Sequence, residues 1–228
     1  MKTDKLKDKF AEVALPMASE IKEFVKENGN QVIGQYTIEQ VYAGMKGMIG
    51  MVTETSKLDP EEGIRFRGYS IPELREKLPK VPGGAEPLPE GIFYLMLIGE
   101  LPSEDEVVNV GNQWARRAIV PKHVFDMLDK LPANAHPMTQ FSAAILALQT
   151  ESVFASAYRK GLNKKDYWDP MYEDAMNLIS RLPRIAAYIY RRIYKNNIHI
   201  LNKIPSLHLY FSRNKKSRLL TMFSMKKA

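Results

Sequence analysis

Apolar residues recur every three or four positions near both ends of this chain, and that period commits most of it to helix. Leu6, Phe10, Val13, Met17, Ile21 and Phe24 follow steps of 4, 3, 4, 4 and 3, the repeat of one helical face. Pro16 is a candidate break in this helix and Gly29 a stop. Met171, Ala175, Leu178, Leu182, Ile185, Ile189 and Ile193 repeat the spacing later. Proline lacks the N–H a helix interior needs, so Pro183 predicts a kink or a split there.

Between these ends the punctuation is also helical. A short helix is expected around Ile38–Met45. Pro72 can open one that runs to Lys77, because proline at a first helical position loses no needed donor. Residues 89–99 read as an apolar helix stopped by Gly99. Ser103 caps the next, with Glu104, Asp105 and Glu106 favouring its positive end. A further short helix is expected over 121–130. His136–Val153 reads as one helix, with Phe141, Ile145 and Leu148 in a stripe beside Ser142, Ala143, Ala144 and Ala147. Residues 51–69 differ: Thr, Val, Phe and Tyr flank an Asp-Pro-Glu-Glu-Gly turn, which predicts two short strands in a hairpin.

Composition removes whole classes of function. The 228 residues contain no cysteine, so disulfides, thiolate metal sites and cysteine nucleophiles are excluded. No apolar run approaches the ~20 residues of a membrane span, and no membrane partner is expected. The N-terminus, MKTDKLKDKF, reads as neither a secretory signal nor a transit peptide. The formal charge is +7, from 33 Lys+Arg against 26 Asp+Glu. Its distribution matters more than its size. Residues 197–228 carry 7 basic residues and no acid, so residues 1–196 are balanced. The excess belongs to a basic tail, and nucleic acid is not expected as a partner of the body.

Few residues suggest chemistry on their own. The four histidines are His123, His136, His199 and His208. His123 and His136 stand at helix entries without metal-ligand spacing, which suits capping or core-edge roles. Lys46 lies among glycines in GMKGMIG, where a plain turn and a loop approached by phosphate both fit. Lys164 in GLNKKDYW invites an anion or merely solvates a loop. No metal site is indicated.

Longer runs say more. ETSKLDPEEGIRFRGYSIPEL, EPLPEGIFYLMLIGELPSEDEV and NAHPMTQFSAAILALQTES resemble citrate synthase of the eukaryotic mitochondrial type. LKDKFAEV and YWDPMYEDAMNLISRLPRIAAYIYR extend the resemblance over about residues 5–196. It implies a mainly α fold: the N-terminal part of the family's large helical domain, with a short β-hairpin near 51–69. Residues 1–196 would be that part, and 197–228 an unrelated-looking tail. The family condenses acetyl-CoA with oxaloacetate and water to citrate and CoA, as homodimers, in the mitochondrial matrix. Acetyl-CoA is a substrate, and no cofactor is implied.

The resemblance also implies which groups to seek. Removing a proton from the acetyl methyl needs a carboxylate base, and the enolate needs a hydrogen-bond donor. In the family an aspartate and a histidine serve, a second histidine protonates the oxaloacetate carbonyl, and arginines clamp carboxylates. The pattern stops near Asn196, before these groups, so no catalytic residue carries over. Two peripheral positions do: Lys46 and Lys164 stand where the family places basic residues, typically arginine, that contact CoA phosphates across the dimer. The His136–Val153 helix matches a dimer-interface helix, although an intramolecular helix contact also fits its small-residue face. A truncated or mis-joined, inactive citrate synthase is the resulting expectation. The alternative is a non-catalytic assembly or CoA-edge partner of a full-length enzyme. Helices that await later partners leave apolar faces uncovered. The 228-residue chain should therefore melt over a broad range in calorimetry; a sharp cooperative transition would contradict this.

Overall fold

The computed structural model describes residues 5–132 and 134–195. His199, His208 and the 197–228 segment lie outside them. The chain divides into two compact units, Met1–Val107 and Val108–Ala228, each treated by itself below. Among the described residues the structure is mainly helical, with one small sheet.

The first unit begins with α1 (Lys5–Asn28). The helix runs unbroken past Pro16, whose ring faces solvent. One missing N–H in 24 residues leaves enough hydrogen bonds on either side to carry the helix through. Gly29 closes it, donating to the Val25 carbonyl at 2.8 Å. Within α1 only Leu6 is buried, and Leu15, Ile21, Phe24 and Val25 are exposed. A short α2 (Ile38–Tyr42) follows, opened by a reciprocal capping box between Thr37 and Gln40.

The expected hairpin has a third strand. β1 (Ser56–Asp59), β2 (Gly63–Phe66) and β3 (Tyr69–Ser70) form an antiparallel sheet in that order. Residues 51–55 stay outside it. The Asp59 carboxylate accepts the N–H groups of Glu61 and Glu62 at 2.9 and 3.0 Å. That Asx-type turn sets Asp59 opposite Gly63 and Ser56 opposite Phe66. Ser70 then caps α3 (Ile71–Lys77), and Glu73 completes the box. α4 (Pro89–Ile98) ends at Gly99, in the left-handed region at φ 92°. Leu74, Leu78 and Leu95 form the core here, with Phe66, Tyr69, Ile92 and Leu101 packed around it. Arg67 donates Nε and Nη2 to the Met96 carbonyl at 3.3 and 3.0 Å, satisfying an end of α4 that has no helical partner.

The division between the units falls inside α5 (Glu104–Arg117). The second unit continues with α6 (Lys122–Lys130), α7 (Pro137–Ala147), α8 (Val153–Arg159) and α9 (Trp168–Tyr194). His136 caps α7: its Nδ1 accepts the Met138 N–H at 3.2 Å. The expected 136–153 helix stops at Ala147, passing into a 3-10 turn over Leu148–Glu151. Ser152 ends that turn and caps α8 through the Ala155 N–H at 2.9 Å. Asp174 of α9 completes this cap. It accepts Ser152 Oγ at 2.6 Å and the N–H groups of Val153 and Phe154 at 2.7 and 3.1 Å. Three donors gathered on one carboxylate fix the break. α9 passes Pro183 without splitting: this proline also faces solvent, and buried Met176, Ile185 and Ile189 hold the helix on both sides of it.

Val124, Phe125, Leu128, Ala144, Leu148, Ile185, Tyr188 and Ile189 form the core of the second unit. A polar fork runs through its edge. Arg192, 6% exposed, donates Nη1 to Gln140 Oε1 at 2.7 Å and Nη2 to the Leu131 carbonyl. Gln140 is fully buried and donates to the Ala135 carbonyl at 2.8 Å. Tyr188 donates to Asp129 at 2.7 Å, and burial followed by that carboxylate pushes its phenol well above the usual range. Arg192→Ala leaves Gln140 Oε1 and the Leu131 carbonyl without this donor. Urea unfolding should show a loss of about 2–4 kcal/mol, and Arg192→Lys, which lacks the planar fork, should recover only part of it.

Candidate functional site

Lys46 lies in the first unit, on the turn after α2. Gly44, Met45 and Gly47 all have positive φ, at 72°, 65° and 73°. Glycine takes this conformation freely; a methionine must be held in it. The Met45 N–H donates to the Gln40 carbonyl at 2.9 Å and the Met48 N–H to the Met45 carbonyl at 3.1 Å. Gln40 Nε2 reaches the Lys46 carbonyl at 3.4 Å. The Lys46 side chain is exposed and has no carboxylate within ion-pair distance among the described residues.

Lys164 lies in the second unit, on a 3-10 turn over Lys164–Asp166. Asn163 Oδ1 accepts the Lys165 N–H at 3.1 Å. The Asn163 carbonyl accepts the Asp166 N–H at 2.9 Å, and the Lys164 carbonyl the Tyr167 N–H at 3.3 Å. The Tyr167 ring meets Phe154 edge-on, centroids 5.1 Å apart at 89°, and also contacts Tyr158. Arg159, Lys160 and Lys165 are exposed nearby in sequence. An exposed ammonium on a fixed turn can pair with a phosphate; it supplies no base for proton abstraction.

The other candidates resolve into structure. His123 Nε2 lies 3.1 Å from the Ala147 carbonyl, tying α6 to the end of α7, and His136 is the cap described above. Among the described residues no three His, Cys, Asp or Glu side chains gather as metal ligands. No helix among them is long and apolar enough to cross a membrane.

One cluster is not foreseen from sequence. Lys9 donates to Tyr94 Oη at 2.6 Å and pairs with Glu100 and Glu106 at 3.2 and 3.3 Å. Tyr94 in turn donates to Glu106, which also receives the N–H and hydroxyl of Ser103 at 2.8 and 2.9 Å. Lys9 falls on the Leu6–Phe10–Val13 side of α1, and a cation on an apolar face is the one available signal. The Tyr94 hydrogen bond raises the Lys9 pKa against burial, with Glu100 and Glu106 adding to it. Burial pushes the Glu106 carboxyl up, but hydrogen bonds from Tyr94, Ser103 and Lys9 outweigh it and hold the pKa at about 2.

These features define a mainly helical scaffold with Lys46 and Lys164 exposed on short turns. Comparison with known proteins places it. The family described as "Citrate synthase, C-terminal domain" matches residues 44–219, a span that runs past Asn196. Mitochondrial citrate synthases of Xiphias gladius and Kajikia audax are each 55% identical over 195 residues, covering 86% of this chain and 42% of theirs. A mitochondrial 2-methylcitrate synthase of Yarrowia lipolytica is 52% identical over 193 residues, covering 85% of this chain and 42% of its own. The chain belongs to the citrate synthase family. It spans less than half the length of these curated relatives. Two solved structures share the fold. Pyrobaculum aerophilum citrate synthase gives a TM-score of 0.56 at 24% identity, over 72% of this chain and 40% of that one. Thermoplasma acidophilum citrate synthase, in ternary complex with carboxymethyl coenzyme A and oxaloacetate, gives 0.51 at 23%, over 67% and 36%.

Glu106 has a folded pKa below its ordinary 4.5, so its contribution is complete above that value and fades as pH falls toward about 2. Stability of the unsubstituted chain should therefore drop across this window by more than that of Glu106→Gln. Parallel acid titrations followed by circular dichroism measure the difference, and equal losses would contradict the assignment.

Proposed function

We propose that this chain carries the CoA-phosphate edge of a mitochondrial citrate synthase that joins acetyl-CoA, oxaloacetate and water into citrate and CoA. Sequence identity of 55% over 195 residues to proteins named mitochondrial citrate synthase is the observation that carries the reading. The bound carboxymethyl coenzyme A and oxaloacetate of the Thermoplasma acidophilum relative supply the substrate classes. Lys46 and Lys164 each offer an exposed ammonium to a CoA phosphate, where charge pairing adds affinity without a role in the bond-forming step.

The resemblance implies that the family's proton-abstracting aspartate and two histidines belong to a later part of the sequence than the runs that end near Asn196. On this reading the 228 residues bind the phosphate end of CoA and do not turn over alone. Pairing with a second subunit uses the outer side of α7, where Met138, Ser142 and Leu146 are exposed. Their four-residue spacing puts them on one stripe, with Ser142 small enough for close helix approach.

Each lysine makes a solvent-exposed contact worth about 1 kcal/mol or less. Lys46→Ala and Lys164→Ala should each weaken CoA binding by up to ~5-fold in calorimetric titrations. Raising the salt concentration should narrow the difference. Thiol release from acetyl-CoA and oxaloacetate should stay at the no-protein rate. Turnover by the 228-residue chain, or CoA binding indifferent to both substitutions, would overturn the corresponding half of the proposal.

A further inference from the structure

The two lysines share a construction. Each stands on a short turn whose backbone is fastened by one carboxamide side chain. For Lys46 the fastener is Gln40. Its Oε1 accepts the Thr37 N–H at 3.0 Å, which fixes the side chain, while its Nε2 faces the Lys46 carbonyl at 3.4 Å. A Cβ added at Gly47 would lie 3.7 Å from that same Nε2, so the amide packs directly against the turn. For Lys164 the fastener is Asn163, whose Oδ1 takes the Lys165 N–H at 3.1 Å. The Tyr167 ring, lodged against Phe154 and Tyr158, anchors the far side of that turn.

We infer that Gln40 and Asn163 are positioning residues for the two CoA-phosphate contacts, a role that rests on the reading of Lys46 and Lys164 given above. The physical ground is entropy. A lysine stem is long and flexible, and an exposed ion pair is weak because fixing two mobile partners offsets most of the attraction. Holding the backbone beforehand removes part of that loss, as preorganisation does in any binding site. The amides are already engaged with the backbone of their turns. On this reading Gln40 acts from α2 through Lys46, and Asn163 from within the turn through Lys164.

The test titrates CoA into the 228-residue chain at low and moderate salt, with far-ultraviolet circular dichroism spectra recorded in parallel. Asn163→Ala should weaken binding by about 2–4-fold at low salt with an unchanged spectrum. Asn163→Ser, which still caps the turn, should restore it. Gln40→Glu can keep the Thr37 hydrogen bond but cannot donate to the Lys46 carbonyl, so it should weaken binding as Gln40→Ala does. If Lys46→Ala and Lys164→Ala weaken binding while the Asn163 and Gln40 variants do not, positioning is overturned and the phosphate reading stands. A loss shared equally by Asn163→Ser and Asn163→Ala overturns it too. If the unsubstituted chain does not bind CoA, or neither lysine matters, both readings fall together.

Discussion

Arg192 decides how three elements of the second unit meet. A guanidinium with only 6% of its side chain exposed must satisfy its donors inside the protein, because leaving them unpaired there is expensive. Its fork therefore requires Gln140 of α7 and the Leu131 carbonyl after α6 to lie at fixed places beside α9. The Tyr188 hydrogen bond to Asp129 repeats the demand one turn earlier on the same helix. Apolar packing among Leu128, Ala144, Ile185 and Ile189 supplies the attraction, but it tolerates sliding. The directional bonds select one arrangement.

Much of the fold is legible because the helices are written in a short-range code. Apolar spacing gives α1 and α9 and an apolar run gives α4, while Ser103 and Gly99 mark ends through hydrogen bonds to residues three or four away. What is not legible depends on partners distant in sequence. The end of α7 at Ala147 is set with the help of Asp174, more than twenty residues on, and nothing within 136–153 announces it. Pro16 and Pro183 mislead for a related reason. A proline penalty is local: the remaining hydrogen bonds of α1 carry it past Pro16, and buried residues on both sides of Pro183 hold α9. The third strand is only two residues long, too short to carry an alternating pattern.

The candidate site was legible to a different depth. Lys46 and Lys164 emerge from resemblance rather than from chemistry, since an exposed lysine in a glycine-bearing stretch reads equally as a solvated turn. Gln40 and Asn163 fit local cap patterns in the sequence, but those patterns do not point to the lysines. Their significance rests on which backbone groups their amides reach, and only coordinates show that. Lys9 is the opposite case: the charge on an apolar face is visible, but Tyr94, Glu100 and Glu106 as its partners are not. Ionic contacts between distant elements leave almost no periodic trace.

The cap that Asp174 places on α8 makes the shorter helix depend on the longer one. α8 has seven residues, too few for a helix to persist by itself in water. Its first turn gains three of its anchors from a side chain on α9. α8 therefore depends on α9 for its first turn, and so do the ring contacts among Phe154, Tyr158 and Tyr167. The turn bearing Lys164 lies between α8 and α9 in the chain and shares Tyr167 with that cluster, so loss of the Asp174 cap would loosen its surroundings from one side.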